Sequence, residues 1–597
     1  MKNYSKELNV QYLIALLKKH NISKIIASPG TTNLSFVASL QSDPFFEMYS
    51  CVDERSAGYM AIGISQECNE PVVITCTGAT ASRNYMSALT EAYYRKIPIL
   101  AITGSQRLDH VGQLKAQVID RSSVPNDICL KSINVLPINN SLDAYYCQLH
   151  INDALLELSR RGGGPVHINL VTIYNRDFSI TKLPEVKKII RYDYSNVDNF
   201  PDLPKGKIGI FVGSHNLFSN ELAKAVDRFC STNDAVVFCD HTSGYYGNYK
   251  VNYSLIGVQE YLSTDLSKLA LCIHIGEVSG DYGTIESLRM DEVWRVSQDG
   301  ELKDPFKKLT NVFEVTETDF FNFYSKENTP SNSVYLTACR KVYDEISSNL
   351  GDLPFSNVWI ASVLSYKIPE NSVIHFGILN SLRTWSLFNF SSSIRTFANV
   401  GGFGIDGCMS SLIGASLTNP NKLYFGVFGD LAFFYDINSL GNRHIGDNVR
   451  ILLVNNGKGT EFRNFYHTGS LFGEDADEYI AAARHFGNKS RILVKNYVEN
   501  LGFEYLKAEN KQEFESVCEF FLSPQICKSI IFEVFTNSAD ESNALKMMWH
   551  ISKNGSGIIK SKLDAIVKTA DKCGVLPMLQ TIIGSKGIKF VKRLLNK

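Results

Sequence analysis

The chain predicts three α/β units, each a doubly wound parallel sheet, followed by a basic C-terminal tail. Three observations carry this reading. Short β-rich runs alternate with helix-like stretches, 597 residues exceed what one core organises, and a charged, Pro-rich segment interrupts the alternation. The expected boundaries are 1–185, 186–330 and 331–540, with 541–597 as an extension.

The first unit opens with Lys24-Ile25-Ile26-Ala27 as a strand, Ser28-Pro29-Gly30 as a turn, then a helix-like stretch. Met48–Val52 reads as a strand feeding a helix over Ser56–Gln66. Pro71–Cys76, a helix around Tyr85–Tyr94 and Ile97–Thr103 continue the pattern. Alternation of this kind implies a parallel sheet covered on both faces, and ligands bind at the carboxyl ends of such strands. Ile180 to Lys207, with Pro184, Pro201 and Pro204, reads as a linker. Ile208–Val212, Ala235–Cys239, Leu269–Ile275 and Val293–Ser297 are the strands expected of the central unit. Its Gly213–Asn216 loop has no phosphate-binding pattern, so that unit is read as structural. Ser372–Phe376, Leu423–Phe428, Arg450–Val454 and Ser529–Val534 are expected in the third.

The last 57 residues hold ten lysines and one arginine against Glu541, Asp564 and Asp571. Ile588, Phe590, Val591, Leu594 and Leu595 alternate there with basic residues, roughly as an amphipathic helix. Two readings stand: a solvated tail, or an appendage for an anionic membrane surface or a protein partner.

Composition narrows the class. With 44% hydrophobic and 20% charged residues the chain is globular in make-up, and a net charge of −1 supplies no basic field for nucleic acid. Thirteen cysteines lie without CxxC or zinc-like spacing, which points to free thiols in a reducing compartment. No apolar run reaches the ~18 residues of a membrane span, and no signal-type leader is present; a cytoplasmic protein is expected.

Two short segments carry chemistry. Asp53-Glu54-Arg55 precedes Ala57, Ala61 and Gly63 at a strand-to-helix junction. An acidic pair there is ordinarily capping; the alternative is a carboxyl that shares a proton with a nitrogen base. Gly429-Asp430-Leu431 and Asn455-Asn456-Gly457 follow successive strands, with Asn456 26 positions after Asp430. Alone each is a turn; together they offer the oxygen ligands that suit Mg²⁺ and a diphosphate. Gly402-Phe403-Gly404-Ile405-Asp406-Gly407 also matches GxGxxG, so a dinucleotide site competes on local pattern, although it leaves Glu54 and the Asn-Asn pair unexplained.

The chain resembles the thiamine diphosphate-dependent enzymes across about residues 8 to 540, nearest in pattern to their menaquinone-pathway synthase branch. The matching pieces are Ser28–Asn33, Asp53–Ser65, Asn84 with Glu91-Ala92, Gly404–Gly407, Gly429–Leu431 with Tyr435–Asn438, and Asn455-Asn456. The resemblance implies pyrimidine-binding, central and diphosphate-binding domains in that order, with thiamine diphosphate and Mg²⁺ as cofactors. Glu54 would hydrogen-bond the aminopyrimidine and promote its imino form, while Asp430 and Asn456 would bind Mg²⁺ with the Lys458 carbonyl. Gly429, Asp430, Leu431 and Ala432 would hold the diphosphate, Ile405 would wedge the two rings together, and Asn84 and Ser381 would line the cofactor. Gln117 resembles a catalytic residue on the substrate side. The reaction implied is decarboxylation of a 2-oxo acid with transfer of the acyl-anion equivalent to an acceptor. It would run in a homodimer or homotetramer whose active sites lie between subunits.

Departures concentrate at the substrate end. The branch's Ser-Arg is Thr31-Thr32 here, and two further expected arginines are Val400 and Trp385. Arg107 and Arg383 remain as substrate-binding candidates beside Thr31 and Thr32. Loss of three cations favours a general decarboxylase or carboligase with a less anionic acceptor over the branch's own 2-oxoglutarate and isochorismate pair. A weakly catalytic, cofactor-binding scaffold recruited through its tail is the alternative of another class.

Overall fold

The Ile- and Val-rich runs do become strands, and every strand pairing among the described residues is parallel. The computed structural model describes residues 3–121, 123–325, 333–485 and 489–552. The chain separates into two units, Met1–Phe200 with Ser297–Val315, and Pro201–Val296 with Thr316–Lys597.

The first sheet contains β1 (Lys24–Ala27), β2 (Glu47–Ser50), β3 (Val72–Cys76), β4 (Ile99–Ser105), β5 (Lys131–Val135) and β6 (Val166–Val171), ordered β2-β1-β3-β4-β6-β5. Its two faces build separate cores. Ile25, Val73, Leu100 and Ile102 pack with Leu13, Ile14, Phe36 and Ile151 on one side; Ile26, Ile74 and Ala101 pack with Ala57, Ala61 and Tyr85 on the other. Each fully buried aliphatic side chain there contributes roughly 1.5–3 kcal/mol.

The middle strands are β7 (Ile190–Asp193), β8 (Ile208–Val212), β9 (Val236–Cys239), β10 (Lys250–Val251), β11 (Lys268–Ile275), β12 (Arg289–Val296) and β13 (Leu309–Glu314). In the second unit the order is β10-β9-β8-β11-β12, and in the first unit β7 pairs with β13. The expected linker is therefore not featureless. Ile190–Asp193 is a strand, and Ile180 bridges to Tyr4. Arg191 explains the ordering: it meets Glu157 at 3.0 Å, and Arg160 in turn meets Glu314 of β13 at 2.8 Å. Gly213, in the loop read as structural, sits where a Cβ would stand 1.9 Å from the Glu277 carbonyl oxygen. Close backbone packing is why a glycine stands there.

The third sheet comprises β14 (Val373–Phe376), β15 (Arg395–Ala398), β16 (Tyr424–Gly429), β17 (Val449–Asn455), β18 (Glu504–Ala508) and β19 (Ile530–Phe535), ordered β15-β14-β16-β17-β19-β18. The GxGxxG-like run lies between β15 and the helix Cys408–Ser416. No helix among the described residues is long and apolar enough to cross a membrane. The expected amphipathic helix of the tail lies outside the described residues.

The helix Ser538–Trp549 packs on the helix Asn357–Leu364 through a buried acid. Glu541 is fully buried, its carboxylate accepts the Asn357 N–H at 3.0 Å, and burial pushes its carboxyl up to about 7. The folded state then keeps a proton that the unfolded chain releases near 4.5, so this group's contribution to stability falls as pH rises from about 4.5 to 7. Glu541→Gln is expected to match the wild type near pH 4.5. Above pH 7 it should be the more stable by an amount on the order of 2–3 kcal/mol, read from denaturant unfolding across pH. A constant difference at all pH values would refute the buried-acid account.

Candidate active site

Asp53 and Glu54 divide the work at the start of the helix Glu54–Cys68. Asp53 is the N-cap, and its Oδ1 accepts the Ser56 N–H at 2.9 Å. Glu54 is left half-buried, with Oε2 accepting from Asn84 Nδ2 at 3.0 Å. Capping thus accounts for one carboxylate and not for the other. Gly58 lets the next helix, Met86–Tyr94, come close: a Cβ there would lie 2.5 Å from Ala88 Cβ. That approach brings Asn84, just before this helix, onto Glu54.

The Ser28–Asn33 turn meets the same sheet. Thr32 is 1% exposed; its hydroxyl donates to the Gly104 carbonyl at 3.0 Å, accepts the Gly78 N–H at 3.1 Å and touches the Thr77 hydroxyl. Its side chain holds the turn, whereas Thr31 is exposed. Gln117 is exposed in left-handed backbone, φ 62°. Arg107 is exposed as well, and its fork closes on Asp109 at 3.0 and 2.6 Å.

In the second unit, β16 and β17 pair with Gly429 opposite Val454, so Asp430 and Asn456 leave neighbouring strand ends. Asp430 is buried, accepts the Leu431 N–H at 2.9 Å and is also bonded by the Gly457 backbone. Burial pushes its carboxyl up to about 7, and among the described residues no Lys or Arg pairs with it. The two asparagines separate cleanly. Asn455 Nδ2 donates to Glu533 Oε1 at 2.7 Å, while Asn456 Oδ1 is buried without a hydrogen-bond partner. A buried carboxylate lacking a cation and an amide oxygen lacking a donor fit a hard dication. The Lys458 ammonium is taken by Asp477 at 2.6 Å, which leaves its carbonyl as the available ligand. Among the described residues no group of three His, Cys, Asp or Glu offers another metal seat.

The other expected cofactor residues lie in this unit too. Gly429 has open space where a Cβ would stand, Ala432 is buried and Leu431 half-buried. Ser381 is buried on the helix Asn380–Trp385, 3.6 Å from where a Cβ on Gly377 would sit, and Ile405 is half-buried in the loop before Cys408. Glu533, which selects between the asparagines, escaped sequence reading; its signal is one acid inside the apolar strand Ile530–Phe535.

Three substrate-end positions are accounted for differently from a depleted pocket. Trp385 is fully buried, donates from Nε1 to Asn357 Oδ1 at 2.9 Å and stacks on Phe390. Val400 is likewise core. Arg383 donates to Glu461 Oε1 at 2.6 Å and lies over the Tyr282 ring, so its charge is already compensated.

Residues 9–124 match the thiamine pyrophosphate enzyme family's N-terminal TPP-binding domain. Along nearly its whole length the chain is similar to 2-succinyl-5-enolpyruvyl-6-hydroxy-3-cyclohexene-1-carboxylate synthases. It is 31% identical to that of Bacteroides thetaiotaomicron over 92% of this chain and 99% of that protein. The Bacteroides fragilis synthase is also 31% identical, over 92% and 100%, and that of Flavobacterium psychrophilum 28%, over 89% and 96%. The thiamine diphosphate-dependent 4-hydroxybenzoylformate decarboxylase of Rhodococcus jostii RHA1 aligns at 15% identity and TM-score 0.38, over 89% of this chain and 99% of that one. The chain belongs to the thiamine diphosphate-dependent enzymes and, among them, to the family of these synthases. Its cofactors are thiamine diphosphate and Mg²⁺.

Asp430→Asn removes the buried charge and keeps the shape. The metal-free variant is expected to be at least as stable as the wild type at pH 8. Its Mg²⁺-dependent thiamine diphosphate affinity should fall by about 100-fold or more, measured by calorimetric titration. Unchanged affinity would remove Asp430 from the metal site.

Proposed function

We propose that the chain catalyses decarboxylation of a 2-oxo acid and transfer of the resulting acyl-anion equivalent to an acceptor, forming a carbon–carbon bond. Bound thiamine diphosphate supplies the carbon nucleophile and the electron sink for this chemistry. In this reading Glu54 holds a proton against the cofactor's aminopyrimidine nitrogen, and Asn84 fixes its carboxylate by the 3.0 Å bond to Oε2. Asp430, Asn456 and the Lys458 carbonyl hold the metal, Gly429 to Ala432 and Ser381 hold the diphosphate end, and Ile405 supports the rings. Gln117 and Thr31 face the substrate from exposed loops; Thr32 supports the turn from behind.

The observation that carries the reading is the orphaned Asn456 oxygen beside a buried, cation-free Asp430, in a chain similar over 92% of its length to a 2-succinyl-5-enolpyruvyl-6-hydroxy-3-cyclohexene-1-carboxylate synthase. That similarity favours the synthases' own product, and with it 2-oxoglutarate as donor and isochorismate as acceptor, over a general carboligase. It is strong enough to outweigh the missing arginines, because Trp385 and Val400 are core residues here. We also assign a homodimer or homotetramer in which Glu54 of one subunit works with Asp430 of another. The twelve described cysteines are all free thiols, which supports a cytoplasmic setting.

A panel of 2-oxo acids, with and without isochorismate or an aldehyde, tests this by CO₂ release and product mass. The wild type should release CO₂ from 2-oxoglutarate and form the adduct. Glu54→Gln should lower kcat about 10²–10⁴-fold while still binding cofactor. Absence of CO₂ from every acid would end the decarboxylation reading; full activity in the Gln variant would end the role given to Glu54.

A further inference from the structure

Among the first unit's arginines without an ion pair in the described residues, Arg55 and Arg176 are exposed, whereas Arg83 and Arg121 are half-buried. Arg107 is paired with Asp109 and Arg95 with Glu91. Arg83 and Arg121 have no carboxylate within ion-pair distance among the described residues. Arg121 is half-buried, with Nη1 donating to Thr103 Oγ1 at 2.9 Å and Nη2 donating to Asn169 Oδ1. Thr103 and Asn169 are opposed residues of β4 and β6, so the guanidinium spans two strands on neutral acceptors alone. Arg83 Nη2 donates only to the Asp120 carbonyl, at 3.1 Å, the residue before Arg121.

The surroundings make room for this arrangement. A Cβ on Gly78 would stand 3.2 and 3.3 Å from the two Arg121 Nη atoms and 2.7 Å from the Gly104 carbonyl oxygen. Burial lowers the Arg121 guanidinium to about 10; the Cys76 side chain opposes that shift, and the like charge of Arg83 adds to it. Neutral acceptors satisfy the N–H groups but leave the charge uncompensated, an arrangement that costs stability unless an anion completes it. A guanidinium fork is matched by a carboxylate. The location is telling: Arg83 adjoins Asn84, the partner of Glu54, and Arg121 follows Gln117 by four positions.

We propose that Arg83 and Arg121 form an anion seat at the carboxyl edge of the first sheet that takes a carboxylate of the reacting acid; the assignment to a reacting acid rests on the 2-oxo acid reading above. Both are substrate-binding residues in this assignment, and they supply cationic character apart from Arg107 and Arg383, whose charges are paired.

The test uses holoenzyme and three variants: Arg83→Gln, Arg121→Lys and the Arg83→Gln/Arg121→Gln double variant. Succinate, as a plain dicarboxylate probe, is titrated calorimetrically, and CO₂ release is measured with 2-oxoglutarate and 2-oxobutyrate. In the double variant the succinate Kd and the KM for 2-oxoglutarate should each rise about tenfold or more, with kcat within about threefold. Arg83→Gln should weaken both in the same direction, and because its side chain is not built into the sheet it tests the seat without threatening the fold. Arg121→Lys should restore part of the loss. A KM rise confined to 2-oxoglutarate assigns the side-chain carboxylate, and a rise for both acids assigns the carboxylate that leaves. If the wild type releases no CO₂ the 2-oxo acid reading fails, and the succinate titration still judges the seat. Succinate affinity unchanged in the double variant, or equal loss of kcat and melting temperature without a KM change, would make Arg121 a loop clamp and overturn the proposal.

Discussion

Asp430 is a carboxylate that the fold buries without a cation, and the organisation of the third sheet's carboxyl edge follows from keeping it there. Desolvation alone would favour protonation or exposure, and the nearby Glu533 adds to the pressure. Parallel pairing of β16 with β17 prevents exposure, because register places Gly429 opposite Val454 and leaves no freedom for the next residue. The Leu431 and Gly457 backbone groups bond the carboxylate but do not neutralise it. In the metal site proposed above, a divalent cation would resolve the conflict. The adjacent orphaned oxygen of Asn456 states the same demand in neutral form, as an acceptor with nothing to accept.

The placement of the candidate residues at strand ends was legible in the sequence. Asp430 and Asn456 follow apolar runs whose length sets where the chain emerges, and Glu54 follows a run in the same way. Choice between neighbours was not legible. Asp53 and Glu54 are chemically alike on paper, and only the helix geometry gives the cap to Asp53 and the Asn84 contact to Glu54. Asn455 and Asn456 likewise differ by which one reaches Glu533, a residue 78 positions away from Asn455 on another strand. Such decisions are tertiary, and local pattern has no access to them.

Several strands that local pattern does not mark lie at sheet edges, although the edge strand Glu47–Ser50 is marked. Lys131–Val135, Arg395–Ala398 and Glu504–Ala508 are all edge strands, and their polar residues weaken the apolar signal that marks interior strands such as Val72–Cys76. Ile190–Asp193 was hidden differently. It sits in a stretch whose prolines read as a linker, and its order comes from an ion-pair cluster of Arg191, Glu157, Arg160 and Glu314, assembled from residues far apart in sequence. Val166–Val171 and Leu309–Glu314 are also strands absent from the expected set, and edge position explains neither.

The substrate end shows why missing motif residues are a poor measure of missing function. Trp385 is not an arginine deleted from an unchanged pocket. Its indole donates to Asn357, whose own N–H is bound by buried Glu541, and its ring stacks on Phe390. The packing at that position is built around an aromatic residue, so an arginine there would bury a guanidinium beside the Phe376 and Phe390 rings. Arg383, retained close by in sequence, is neutralised by Glu461 at 2.6 Å. Cationic side chains without a carboxylate partner among the described residues remain in this chain at Arg83 and Arg121, in the first unit, where each donates to neutral acceptors. Charge balance among side chains, read from the structure, is therefore a better guide to this chain's substrate than position-by-position comparison of its motifs.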